Sequence, residues 1–203
     1  MEAGRLSCVP ADREARAASA AEPWRRPRNN LIGDIILAEP DMRPAIDIGT
    51  FWKAIGVRAV GAAVVAARNE AGPAGLLALS ATHLCASPPI LMVSIGRKTS
   101  ALSTILDSRH YSINYLAEDD AELAETFGGK GPLKGSERFS QDRWTTLSTG
   151  APILKGAIGA LDCELEETIE RHDTIIALGR LIDFSTEGLI GKPLISFAGR
   201  MGV

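Results

Sequence analysis

The sequence lacks the features that identify several common classes of protein. Only 5% of its 203 residues are aromatic, and its formal net charge is −3 at pH 7. A general nucleic-acid binder is normally basic, and a platform for single strands needs stacking aromatic rings. No apolar run approaches the roughly 18 residues of a membrane-spanning helix. The composition therefore argues against nucleic acid and membrane as partners, and its apolar content of 45% is ordinary for one globular domain.

Cysteine is scarce as well. The three cysteines, Cys8, Cys85 and Cys163, are an odd number and are far apart in the sequence. Such usage suits a reducing compartment better than a disulfide framework, so we expect a cytoplasmic protein. Arg25 and Arg26 form a twin arginine, but no clean hydrophobic region follows it, so we predict no export signal.

Common catalytic and metal-binding motifs are missing too. The sequence contains no CxxC, HExxH or GxSxG. The glycine-rich stretch GGKGPLKGS at 128–136 follows no predicted strand and lacks the end of a P-loop. His83 and Cys85 have no third ligand nearby, so we interpret them as a packed pair and predict no metal site. His172 and Asp173 could be combined with Ser80 for hydrolysis, but no nucleophile turn supports that reading.

The first part of the chain differs from the rest. Residues 1–30 are rich in alanine and arginine and show no sustained apolar period. This composition is typical of a disordered tail. We therefore predict an N-terminal extension over residues 1–46 and one domain over residues 47–203.

The remaining sequence predicts many short strands and a few short helices. Helices are expected at 47–55, 100–106 and 118–127, and an irregular segment at 144–154. Strands are expected at 58–68, 75–83, 90–95, 110–116, 156–170, 174–184 and 194–200. The turns at 69–75 and 171–173 make hairpins of the strands on either side of them. The pattern is typical of a mainly β fold, either a barrel or a sandwich, and closure into an antiparallel barrel would remove the exposed edges.

The stretch from 75 to 106 carries the strongest chemical signal. Pro88 and Pro89 end one strand, and the apolar run 90–95 is predicted to be buried on both faces. Two cations and two hydroxyls then precede a helix, namely Arg97, Lys98, Thr99 and Ser100. A helix N-terminus offers unpaired N–H groups and a partial positive charge, so this turn could hold a phosphate.

Six stretches in a fixed order resemble a known family. They are GAAVVAAR, GLLALSATHLCASPPILMVSIGRKTSALSTIL, YSINYLAEDDAELAETFGG, Arg138-Phe139, GAPILKGAIGALDCELEETIERHDTIIALGRL and FAGRMG. Over about three quarters of the chain, from Phe51 to Gly202, the sequence resembles the flavin-reductase-like family of split-barrel, flavin-binding proteins. That family includes the small reductase components of two-component aromatic monooxygenases.

The resemblance implies a homodimer that binds FMN or FAD and oxidises NADH or NADPH, passing a hydride from nicotinamide C4 to flavin N5. A partner flavin-dependent oxygenase would use the reduced flavin. The strand 77–85 would lie along the isoalloxazine, with Leu77, Ala78, Leu79, Ser80, Thr82 and Cys85 as its site residues. The turn of Arg97, Lys98, Thr99 and Ser100 would meet the flavin phosphate, and Phe127, Gly128 and Lys130 would close over the flavin. His172, the one catalytic residue predicted, would lie by the nicotinamide, with Arg200 near it.

The sequence departs from the family pattern beside the flavin ring. Leu77 and Leu79 stand where the family often has Thr and Asn, and Met201 where it often has Tyr. Three functions therefore stay open. The chain could reduce diffusible flavin, it could retain its flavin and reduce another substrate, or it could be a flavin-binding module without catalytic activity.

Overall fold

The computed structural model describes residues 45–140, 142–186 and 191–202. The predicted extension over 1–46 lies almost wholly outside them. The helices are α1 (Ile48–Ile55), α2 (Ala101–Ser108) and α3 (Ala121–Phe127), with 3-10 turns at Glu118–Asp120 and Gly135–Arg138. None of the helices in this part of the chain is long and apolar enough to cross a membrane.

Twelve strands are present in the described residues. They are β1 (Val60–Gly61), β2 (Ala63–Asn69), β3 (Gly72–Ala78), β4 (Thr82–Ala86), β5 (Pro89–Gly96), β6 (His110–Tyr115), β7 (Trp144–Thr146), β8 (Pro152–Leu154), β9 (Gly159–Arg171), β10 (Thr174–Ser185), β11 (Ile195–Phe197) and β12 (Arg200–Met201). The mainly β fold with a few short helices is therefore confirmed.

Seven strands form one antiparallel sheet in the order β3-β2-β6-β9-β10-β5-β4. The predicted hairpin of β2 and β3 is present, with Ala63 opposite Ala78. Arg171 pairs with Thr174, so His172 and Asp173 alone form the turn between β9 and β10. This tight turn brings the tip of the longest hairpin beside the end of β5, where Gly96 pairs with Thr174.

The two ends of this sheet are the strands β3 and β4, and no ladder joins them in the described residues. Main-chain hydrogen bonds therefore do not close the sheet into the expected barrel. A side chain instead joins the segment after β3 to β5, the strand next to the end strand β4. The hydroxyl of Ser80, just after β3, accepts from Ser94 N and donates to Ser94 O on β5, both at 3.2 Å.

The sheet has an apolar core on each face. The first core packs α2 against β2, β5, β6, β9 and β10, through buried residues such as Val65, Val93, Ile105, Tyr111 and Leu165. The second core covers the opposite face of β2 with α3 and the β7–β8 hairpin, through Val64, Phe127, Trp144, Ile153 and Leu154. Residues of β2 alternate between the two cores, because successive side chains of a strand point to opposite faces.

Two buried polar side chains on β6 hold the β7–β8 hairpin to the sheet. The Asn114 amide donates to Val64 O at 3.1 Å and to Pro152 O at 3.3 Å, and its oxygen accepts from Leu154 N at 2.8 Å. The Ser112 hydroxyl also donates to Pro152 O. Both residues are fully buried, so these bonds satisfy groups that would otherwise be costly to bury.

The structure corrects several predictions of secondary structure and one of burial. The strand expected at 58–68 is two strands, because β1 ends at Gly61 and β2 begins at Ala63. The strand expected at 75–83 is two strands, because β3 ends at Ala78 and β4 begins at Thr82. The irregular segment at 144–154 contains β7 and β8, and the last strand is divided into β11 and β12. The strand at 90–95 is not buried throughout, since Leu91, Met92 and Ser94 are only half-buried while Ile90, Val93 and Ile95 are buried.

Candidate functional site

The predicted phosphate turn lies between β5 and α2. Thr99 N donates to Gly96 O at 2.9 Å, which closes the turn, and α2 begins at Ala101 with Ser100 as its N-cap. The Ser100 side chain makes no capping hydrogen bond. Lys98 is exposed and has no ion pair among the residues that the structure describes. An ammonium group, a hydroxyl and a helix N-terminus are thus available together at this turn.

The same turn contacts the tip of the β9–β10 hairpin. Arg97 N donates to Asp173 O at 2.8 Å, and Arg97 Nε donates to His172 O at 3.2 Å. His172 is exposed and has a left-handed φ of 53°, a conformation that histidine tolerates better than most residues. The structure therefore brings two of the predicted groups together, although they are 75 residues apart in sequence.

The side chain of Arg97 is not available in the way that the sequence indicated. Its Nη2 donates to Glu170 Oε2 at 2.6 Å, and both side chains are substantially exposed, at 44% and 65%. Glu170 was not among the predicted residues. No local pattern could have identified it, because Arg97 follows β5 and Glu170 lies on β9, and only the folded strand order β9-β10-β5 brings them within reach.

A second group of predicted residues meets at the end of β3. Leu77 is half-buried, and a Cβ placed on Gly128 would lie 3.4 Å from Leu77 Cδ2. The same Cβ would lie 3.1 Å from Ala124 O, so a side chain here would crowd the end of α3. Lys130 follows on the surface, with its Nζ 3.0 Å from Glu125 Oε1. Leu77 and Gly128 are therefore in contact range, as a shared flavin site would need.

The other predicted flavin residues are dispersed around this region. Ala78 is buried in the first core, and Leu79 packs against the second. Ser80 lies in the link between β3 and β4, and Thr82 is exposed at the start of β4, so the two do not belong to the single strand predicted over 77–85. The Cys85 thiol donates to Pro88 O at 3.0 Å. Arg200 is exposed on β12.

Phe127 is a core residue in this structure. It is only 4% exposed, and its ring packs edge-on against Phe139 and Trp144, with centroid distances of 5.1 and 5.8 Å. Gly75 makes room for it, because a Cβ there would lie 2.8 Å from Phe127 Cε1. The ring is thus held beneath the turn at Gly128, and closure over a flavin would fall to the backbone that follows it.

A pocket also lies away from the predicted residues. It is lined by Arg68, Phe139, Trp144, Thr145 and Thr146, on the face of β2 that carries the second core. It contains none of the residues predicted for flavin or nicotinamide. This pocket is therefore not the site that the sequence predicted.

Comparison with known proteins gives consistent matches. The model of the family "Flavin reductase like domain" matches residues 58–202. "FMN reductase (NADH) RutF" of Serratia proteamaculans is 37% identical over 107 residues, which are 50% of this chain and 60% of that protein. The protein of the same name from Ancylobacter novellus is 36% identical, over 64% of this chain and 75% of its own length. The chain thus spans only about three fifths of the Serratia relative.

A solved structure matches in fold as well. The styrene monooxygenase flavin reductase (SMOB) from Pseudomonas putida S12 superposes with a TM-score of 0.65 and 26% sequence identity. The match covers 73% of this chain and 93% of that one. Because the family model covers well over half of the sequence, in the segment that forms both cores, the chain belongs to the flavin reductase like domain family.

Proposed function

We propose that this protein is an NADH-dependent flavin reductase, which oxidises NADH and reduces FMN that then leaves for a partner oxygenase. Two relatives named FMN reductase (NADH) support the choice of FMN and NADH over FAD and NADPH. The similarity to the reductase of a styrene monooxygenase supports an oxygenase as the consumer of the product. The overall reaction converts NADH, FMN and one proton into NAD⁺ and reduced FMN.

One observation carries this proposal. The turn that would hold the flavin phosphate touches the turn that would meet the nicotinamide, through the hydrogen bonds of Arg97 with His172 O and Asp173 O. A reductase must hold two cofactor-sized molecules side by side with their reacting atoms aligned. Contact between these two turns would place the two bound molecules next to each other.

The side chains of the site fit a flavin. Lys98 and the Ser100 hydroxyl would bind the phosphate at the start of α2, where the helix dipole favours an anion. Leu77 and Leu79 would present an apolar edge to the isoalloxazine, and Gly128 would allow close approach because it has no side chain. When bound, the flavin supplies the hydride chemistry, whereas the protein binds the two rings and excludes water between them.

His172 would act on the nicotinamide rather than on the flavin. It is exposed at the tip of the hairpin, where its imidazole can donate a hydrogen bond. No general acid or base is required for a hydride transfer between two cofactors, so a positioning hydrogen bond is a sufficient role. Arg200, exposed on β12, would add positive charge on the nicotinamide side.

We also propose a closed barrel and a homodimer. The link between Ser80 and Ser94 supports closure, since it joins the segment after β3 to β5 across the gap in the ladder. Exposed apolar side chains support a second copy, for Trp52 is 62% exposed and Phe184 60%.

We propose the cytoplasm as the place of reaction. Cys85 and Cys163 are free thiols without a disulfide bond, and this, together with the use of NADH, favours a reducing compartment.

The decisive experiment is steady-state oxidation of NADH and NADPH at 340 nm, with FMN, FAD or no added flavin. We expect turnover with NADH that rises and saturates with added FMN. Lys98→Ala should raise the KM for FMN several-fold and leave that for riboflavin unchanged, because riboflavin has no phosphate. The alternative is an enzyme that retains its flavin. It would oxidise NADH equally fast with and without added flavin, and it would keep stoichiometric flavin through gel filtration.

A flavin-binding module without catalytic activity is the second candidate. It is favoured by Leu77 and Leu79, which provide no polar side chain beside the flavin ring. A folded protein that quenches FMN fluorescence but oxidises neither nicotinamide would establish this alternative. Replacing Leu77 by Thr and Leu79 by Asn would then be expected to strengthen flavin binding.

A further inference from the structure

Glu170 forms an ion pair with the guanidinium of Arg97, a residue of the turn that was predicted to meet the flavin phosphate. Its Oε2 accepts from Arg97 Nη2 at 2.6 Å, and the Arg97 backbone and Nε are already bonded to Asp173 O and His172 O. Arg97 is thus held by three acceptors of one hairpin tip. Lys98 and the hydroxyls beside it have no such partner among the described residues.

The register of the sheet places this carboxylate opposite the phosphate turn. Glu170 pairs with Ile175, and Ile175 pairs with Ile95, two residues before Arg97. The pairing of these strands is regular from Arg171 opposite Thr174 to Glu167 opposite Leu178, so the sheet itself places Glu170 within reach of Arg97. The ion pair is therefore a product of the sheet and not of a flexible loop.

A carboxylate at this position must compete with a phosphate. A phosphate monoester carries a charge of about −1.5 to −2 and binds arginine strongly, but it would have to draw Arg97 away from Glu170 or bind beside an uncompensated carboxylate. Either course lowers the affinity for a phosphorylated flavin. It leaves the affinity for the isoalloxazine ring itself unaffected.

We infer that Glu170 is a positioning residue that weakens retention of the flavin phosphate by holding Arg97, and so favours release of reduced FMN. This inference rests on the proposed function, because it concerns the same phosphate turn. It adds a residue, Glu170, to that function, and it adds a property, weak binding of the flavin phosphate. Such looseness suits a protein that gives up its flavin to a second enzyme.

The test compares Glu170→Gln with the wild-type protein by titration of FMN and riboflavin, following quenching of flavin fluorescence. Gln keeps the size of the side chain and removes its charge. Exposed ion pairs contribute little, so we expect the Kd for FMN to fall by about two- to five-fold. The Kd for riboflavin should stay the same, and the gain for FMN should shrink at high salt because the charges are exposed.

Two controls keep the inference falsifiable. Glu166→Gln removes a similar carboxylate on the same strand, which pairs with Arg180 away from the phosphate turn, and should leave both Kd values unchanged. In an Arg97→Ala background, Glu170→Gln should no longer tighten FMN binding, because its effect passes through Arg97. An equal change for FMN and riboflavin, an effect that persists without Arg97, or no change at all would overturn the role of Glu170.

Failure of the inference can be separated from failure of the proposed function. If the wild-type protein binds neither flavin, both are wrong. If it binds FMN and oxidises NADH, but Glu170→Gln does not discriminate FMN from riboflavin, only the inference fails. If Glu170→Gln tightens FMN binding while no variant oxidises NADH, the inference holds for a flavin-binding protein and the reductase function fails.

Discussion

Gly179 lies directly against the ring of Tyr111. Tyr111 is fully buried in the first core, and a Cβ added to Gly179 would come within 2.6 Å of its Cζ atom. Real contacts of this kind do not occur, so a side chain at Gly179 and a tyrosine at 111 cannot share this space without movement. The two residues belong to β10 and β6, which are separated in the sheet by β9.

Gly179→Ala is therefore expected to destabilise the protein by about 1–3 kcal/mol, the usual cost of overpacking a core. Urea unfolding followed by fluorescence would measure it. Gly129→Ala is a useful comparison, since its Cβ would meet no atom within 4 Å and its cost would come only from its positive φ. A Gly179→Ala protein as stable as the wild type would show that β10 can shift away from Tyr111.

Removing the hydroxyl of Tyr111, in contrast, is not expected to lower the free energy of unfolding. It is buried and has no hydrogen-bond partner in the described part of the chain. An unpaired buried donor costs about 1–3 kcal/mol, so Tyr111→Phe should leave the free energy of unfolding unchanged or raise it. A loss of more than about 1 kcal/mol in the same unfolding assay would mean that the hydroxyl has a partner, such as a buried water molecule.

The stability of the fold should fall in alkaline solution through Cys163. Burial, and to a smaller extent the nearby charge of Asp162, raises the pKa of this thiol from 9.0 to about 12. Above pH 9 the unfolded chain loses the proton while the folded chain keeps it, so stability decreases as pH rises from 9 toward 12. The slope reaches about 1.4 kcal/mol per pH unit for one such group.

Urea unfolding between pH 8 and 10.5 would check this dependence. Cys163→Ala should start from a lower stability, because it opens a small cavity, but should lose less stability as pH rises. Cys85→Ala removes a thiol that is only partly buried and is the matched control. Tyr111 and Tyr115, whose pKa values are also raised by burial, would account for any slope that remains. Parallel curves for wild type and Cys163→Ala would contradict the assignment.

The role proposed for His172 is best tested with asparagine. Alanine would remove the imidazole and also disfavour the left-handed φ of 53°, whereas asparagine tolerates that conformation. We expect His172→Asn to raise the KM for NADH about five-fold, as the loss of a hydrogen bond of about 1 kcal/mol would do. The Kd for FMN, from fluorescence quenching, should change by less than about two-fold. If the KM for NADH and the Kd for FMN rise by the same factor, His172 stabilises the turn and does not contact the nicotinamide.

Local patterns were sufficient to predict most elements of this fold. The β9–β10 hairpin followed from two alternating stretches on either side of a polar turn, and α2 from helical spacing after Ser100. The phosphate turn was predicted from its own residues, whereas the role of His172 came from the family resemblance and the contact between the two was not predicted. Nothing in the spacing of the sequence places residues 97 and 172 together, since their contact depends on the strand order.

The parts that sequence reasoning missed depend on tertiary contacts. The break between β3 and β4 leaves Ser80 outside both strands, and its hydroxyl bonds Ser94 on β5, which no period-two pattern reveals. Strands β7 and β8 have three residues each, too few to show any period. Ser112 and Asn114 alternate with Tyr111 and Ile113, as surface residues would, yet they are buried because the β7–β8 hairpin covers them.

The amide of Asn114 has a consequence for how the protein opens. It supplies both a donor and an acceptor to the β7–β8 hairpin, as a peptide group of a neighbouring strand would, so together with Ser112 it stands in for a missing ladder. A segment fastened in this way can detach while the seven-stranded sheet stays intact. The hairpin contributes Trp144, Ile153 and Leu154 to the second core, so its detachment would expose that core and leave the first core covered.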